Sequence, residues 1–168
     1  MNASVELGLR AVLLGTGATL TMDLWGLVLK RFGVPSLNLA LLGRWVGHLL
    51  RGRWRHVSIA AAAPVNGEAW IGWSAHYAIG IAFSALLLGM FGVEWARSPS
   101  LTPALLVGIV TVVAPWFILQ PGMGAGIASR KTPAPLFNAL KSLVTHTVFG
   151  LGLYLTARLA ASVLPGWR

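Results

Sequence analysis

AVLLGTGATLTMDLWGLVL, residues 11–29, is a run of 19 residues whose polar side chains are three threonines and one acid, Asp23. As an α-helix such a run is long enough to cross a hydrocarbon core of about 30 Å. Thr16, Thr19, Asp23 and Gly26 recur at intervals of three, four and three, which places them on one helical face, opposite Leu, Val and Met. An acid at mid-helix costs roughly 2.5–3.5 kcal/mol to insert, so this face is expected to look into a bundle. Lys30 and Arg31 follow at once and mark the cytoplasmic exit.

Outward from this stretch, three further apolar runs set the fold class. Residues 69–91 are preceded by Asn66-Gly67-Glu68, where Asn66 is expected to cap and Glu68 to favour the helix N-terminus. Residues 103–119 follow Thr102 as N-cap, with Pro103 at the first helical position and Pro115 expected to kink the far end. Residues 136–159 follow Thr132 and Pro133. The expectation is an all-α, membrane-spanning four-helix bundle forming one integral membrane domain over 1–168. Composition agrees: 10% of residues are charged, against about a quarter in soluble domains, so the apolar surplus needs lipid as solvent.

A net charge of +9 would fit a nucleic-acid binder, but its distribution argues against one. Lys30, Arg31, Arg44, Arg51, Arg53 and Arg55 lie between the first two runs, and Arg130 and Lys131 between the last two. The N-terminal segment, the second connection and the tail carry only Arg10, Arg97 and Arg168. Positive-inside asymmetry then predicts an N-out, C-out protein of the inner membrane. Glu6 ahead of the first positive charge, and Asp23 within the apolar run, argue against a cleaved signal peptide. The absence of cysteine excludes disulfides, thiolate metal sites and a cysteine nucleophile.

The first connection is patterned. With Ser36 as N-cap, residues 37–51 set Arg44, His48 and Arg51 opposite Leu42, Trp45, Val46, Leu49 and Leu50, which predicts an amphipathic interfacial helix. Arg44, Arg51, Arg53 and Arg55 are its expected membrane-surface binders, directed at anionic lipid headgroups. The bilayer is thus the expected partner; a homo-oligomer is compatible with the sequence. Trp70, Trp73, Trp95 and Trp167 suit the headgroup level. The glycine-rich run 120–126 lacks both a Walker-type lysine and a preceding strand, and is expected to form a tight or re-entrant turn.

Two stripes at intervals of four follow in the second and fourth runs: Gly72, His76, Gly80, Ser84 and Ser142, His146, Gly150, Tyr154. His76 to Gly80 echoes His146 to Gly150, Gly17 to Trp25 echoes Gly108 to Trp116, and Pro35 to Asn38 echoes Pro135 to Asn138. Such echoes fit a parallel duplication of a two-helix unit about an axis along the membrane normal. Asp23 has Ala114 as its counterpart, so a site built on it is asymmetric.

From Gly17 to Trp25, through Pro35 to Asn38, Gly43-Arg44-Trp45, His76 to Gly80 and Gln120-Pro121 to Thr132-Pro133, the chain resembles domain-of-unknown-function family 2938, small integral membrane proteins of bacteria. The resemblance implies a membrane location and brings no activity or catalytic residue with it.

Counted from the cytoplasmic helix ends, Asp23, His76 and His146 lie roughly 9, 10 and 15 Å deep, close to one layer. Together they are the expected polar intramembrane site, suited to moving a proton, binding a cation or accommodating a small solute. One competing reading is a polar core that only fixes helix register in a structural or accessory membrane protein. The other is a haem held between His76 and His146; otherwise no cofactor is expected and no metal is assigned. No acid pair at metal-binding spacing and no Ser-His-Asp order supports an enzyme.

Overall fold

A computed structural model describes residues 2–164, 166 and 167, and all their regular structure is helical. The helices are α1 (Ala3–Arg31), α2 (Leu39–Leu49), α3 (Glu68–Phe91), α4 (Val93–Arg97), α5 (Leu101–Val110), α6 (Gln120–Met123) and α7 (Pro135–Val163). Among the described residues, four helices are long and apolar enough to cross a membrane: α1, α3, the composite Leu101–Met123, and α7. The four-span expectation holds.

Several ends differ from those expected. α1 starts at Ala3, where the Asn2 side chain accepts from the Ser4 amide at 3.1 Å. Asn38 rather than Ser36 caps α2, accepting from the Ala40 amide at 3.0 Å. At α3 the capping position belongs to Gly67, at φ 73°, not Asn66; Glu68 accepts instead from the Val65 amide at 3.1 Å. α5 begins after Ser100 rather than Thr102. The kink expected at Pro115 takes the form of a π-helical turn, Pro115–Leu119, which joins α5 to α6. A proline has no amide hydrogen for the helical ladder, and the slip to a wider spacing absorbs the loss. Of the glycine-rich run, Gln120–Met123 is helical and extends the third span as α6, and the tight turn is confined to residues 124–126, with Gly124 at φ 97° and Gly126 at φ 76°.

α1 packs against α3 and α7, α5 packs against α7, and α5 also touches α3, which closes the four spans into a bundle. Glycines permit two of these crossings. A Cβ on Gly15 would stand 2.5 Å from Ile81 Cα, and one on Gly108 2.5 Å from Gly150 Cα, so the backbones themselves are in contact. Between them Leu14, Ala18, Leu87, Leu88, Phe149, Leu153 and Ala157 fill the interior. The buried face of α1 is centred on Leu14, Gly15, Ala18 and Thr19, because two helices claim it. Thr16, expected on the inner stripe, is therefore exposed.

The amphipathic helix expected between the first two spans is α2, and it is seated against α3. Its apolar face, with Leu42 and Trp45, is buried within the protein, and its Gly43 meets Gly72 of α3 so closely that a Cβ on either would strike the carbonyl of Glu68 or Leu39. Arg44 turns inward too. Its Nε and NH2 donate to the two oxygens of Glu68, each at 2.8 Å, and its NH1 donates to the carbonyls of Ala60 and Ala62 at 3.0 and 3.1 Å. The Glu68 carboxylate holds the guanidinium more firmly protonated than usual.

At the opposite end of α1, the tail folds back over the bundle. Arg10 donates through Nε to Glu6 at 2.9 Å and through NH2 to the Trp167 carbonyl at 2.8 Å, with its guanidinium 4.3 Å from the Trp167 ring centre. The Trp167 indole donates to the Ala96 carbonyl at 2.8 Å, and Arg97 of α4 donates to Glu6 at 2.8 Å. Trp167, expected at a lipid interface, is buried by these contacts.

Candidate functional site

Asp23 is the chain's one aspartate, and the three glutamates stand near helix ends. It lies eight residues from the end of α1, and His76 lies eight from the start of α3, so both sit roughly 12 Å in from the same end of the bundle. The Gly15–Gly80 crossing brings the two helices close enough for these side chains to meet. His76 donates from Nε2 to Asp23 Oδ1 at 2.9 Å, and the Tyr77 hydroxyl donates to Oδ2 at 2.9 Å. Each carboxylate oxygen thus receives one strong donor from α3.

Trp73, one turn before, closes the aromatic surround, its ring 6.4 Å from that of His76 and 6.2 Å from that of Tyr77. The site is not sealed: 23% of the Asp23 side chain and 15% of the His76 side chain remain accessible. With Nε2 carrying the proton directed at Asp23, His76 in its neutral form has Nδ1 left as an acceptor.

His146 does not join this group. It is held at the α5–α7 crossing, where the Thr111 hydroxyl donates to the Gly108 carbonyl at 2.7 Å and stands 3.0 Å from His146 Nδ1. The single hydroxyl hydrogen is already used, so His146 Nδ1 must donate to Thr111, leaving Nε2 with its lone pair. The ring lies beside Phe83, the ring centres 6.4 Å apart. A haem between the two histidines through their Nε2 atoms would require His76 to leave Asp23. Among the described residues no group of three or more His, Cys, Asp or Glu is placed to hold a metal ion.

Of the four arginines read as membrane-surface binders, Arg51, Arg53 and Arg55 are exposed, whereas Arg44 is committed to Glu68. Sequence reasoning missed Tyr77 because it lies about 100° round the helix from His76, off the stripe of fours. It missed Thr111 because a threonine in an apolar helix has no sequence signal that separates a histidine partner from a backbone one.

A model of the family described as "Protein of unknown function (DUF2938)" matches residues 12–160. No curated protein and no solved structure matches the chain.

Proposed function

The chain belongs to this family, and from that premise we propose that it is a multi-pass protein of the bacterial inner membrane in which Asp23, His76 and Tyr77 form a protonatable station on the path of a proton, a small cation or a small solute. One observation carries the reading: the only aspartate of the chain meets an imidazole and a phenol of the next span at a depth where a carboxyl group is costly, yet stays partly accessible. With Asp23 ionised and His76 neutral, the group carries one negative charge. A proton taken up at His76 Nδ1 gives an imidazolium–carboxylate pair with no net charge, and a monovalent cation beside Asp23 neutralises it equally well. Tyr77 fixes the orientation of the carboxylate in either state.

The same reading has N-out, C-out topology, from the charge asymmetry of the connections, with Arg51, Arg53 and Arg55 meeting anionic headgroups. A second reading, a polar core that only sets helix register, is favoured by the satisfaction of both Asp23 oxygens. Asp23→Asn separates them. The protein in vesicles under an imposed pH or cation gradient is expected to lose its flux on this change, while thermal stability in detergent stays near that of the parent. A fall in stability of about 1–2 kcal/mol with flux unaltered supports the register reading instead.

A further inference from the structure

Away from this site, a histidine at the end of α2 and one in the connection that follows stand together, and the backbone fixes the tautomer of each. His48, in the last turn of α2 and 5% exposed, donates from Nε2 to the Ala63 carbonyl at 2.9 Å. His56 lies opposite the Gly122 carbonyl, 3.3 Å from Nδ1, and the His56 amide donates to the same oxygen at 2.9 Å. A carbonyl only accepts, so the proton sits on Nε2 of His48 and on Nδ1 of His56. The remaining nitrogens, His48 Nδ1 and His56 Nε2, are lone-pair donors. His56 Nε2 is buried and without a hydrogen-bond partner, an arrangement that wants an occupant.

Imidazoles that ligate a metal ion characteristically give their other ring N–H to a backbone carbonyl or carboxylate, which orients the ring and fixes the tautomer. The spacing fits as well. Two imidazole nitrogens each about 2.0–2.1 Å from one tetrahedral ion place their ring centres roughly 5 Å apart; here the centres are 5.0 Å apart, with the rings inclined at 65°. The loop is held in place independently of the histidines, since the Trp45 indole donates to the Trp54 carbonyl at 2.9 Å. It also reaches the surface, because Val57 is fully exposed.

We propose that His48 and His56 form a binding site for a divalent transition-metal ion of the zinc class, ligated by His48 Nδ1 and His56 Nε2. Among the described residues no third His, Cys, Asp or Glu completes the set. The remaining coordination positions fall to backbone carbonyls or water, so the ion is held less firmly than a four-ligand structural zinc. An ion there ties the end of α2, through His56 and Gly122, to α6.

The test is titration of the purified full chain, without a histidine tag, with Co²⁺ followed by visible absorption and with Zn²⁺ followed by calorimetry. One equivalent should bind, with the intense bands of tetrahedral Co²⁺ displaced by Zn²⁺. His56→Ala should weaken binding at least tenfold, while His146→Gln leaves it unchanged. X-ray absorption of the zinc-loaded parent, which needs no variant, should show two imidazoles at about 2.0 Å. Absence of binding, a weak octahedral cobalt spectrum, or full binding retained by a folded His56→Ala variant overturns the site.

Discussion

Tyr77 supplies half of what holds Asp23, and its removal is the mildest way to question the site. Tyr77→Phe deletes one donor without changing shape, and should cost about 1 kcal/mol of stability in detergent, read from thermal unfolding. Paired with His76→Gln in a double-mutant cycle, it should show a coupling energy of roughly 0.5–1 kcal/mol through the shared carboxylate; strictly additive losses would mean that the two donors do not act on one group. The sequence made Asp23 and His76 legible because an acid in an apolar run is costly and a histidine on a small-residue stripe is turned toward a neighbour. It could not reveal Tyr77 or the Thr111 partner of His146. Those contacts depend on how far α3 is rotated against α1, and α7 against α5, which is set by the Gly15–Gly80 and Gly108–Gly150 crossings rather than by either helix alone.

At the level of the helices, closeness of approach governs. Gly15→Ala places a methyl against the backbone of Gly80 and Ile81 and should lower stability by about 1–3 kcal/mol, whereas Gly8→Ala, with nothing within 4 Å of the new Cβ, should leave the melting temperature unchanged or raised. Equal effects of the two would argue against backbone contact at the crossing. α2 offers a second case. Arg44→Gln and Glu68→Gln should each free the 59–62 segment, read as faster limited proteolysis, and the double variant should be no worse than either single one. Amphipathic periodicity correctly announced this helix, but the same pattern describes a helix facing lipid and one facing protein. What seats the inner face of α2 on α3 is Gly43 opposite Gly72, a pair 29 residues apart whose meeting no local pattern encodes.

For the molecule as a whole, length and hydropathy were enough to read four spans, since a membrane demands about 20 apolar residues per crossing whatever the packing. A periplasmic reporter fused after Arg168, which lies outside the described residues, is expected to be active and a cytoplasmic one inactive; the reverse would overturn the N-out, C-out proposal. Trp167→Ala should lower stability by about 3 kcal/mol, because it empties a buried pocket and removes the ring beneath Arg10. The contact between Arg10 and Trp167 spans 157 residues, and this has a consequence for synthesis. At 5–20 residues per second, on the order of ten seconds or more pass between the emergence of Arg10 and the translation of the tryptophan that covers it. During that interval the Arg10 guanidinium lacks the tryptophan carbonyl and ring that it meets in the folded chain. Glu6, one turn earlier on the same helix, is translated before it and is already in place. Its carboxylate, 2.8 Å from the Arg10 guanidinium, is a counterion within the same helix, able to neutralise Arg10 before Trp167 is made.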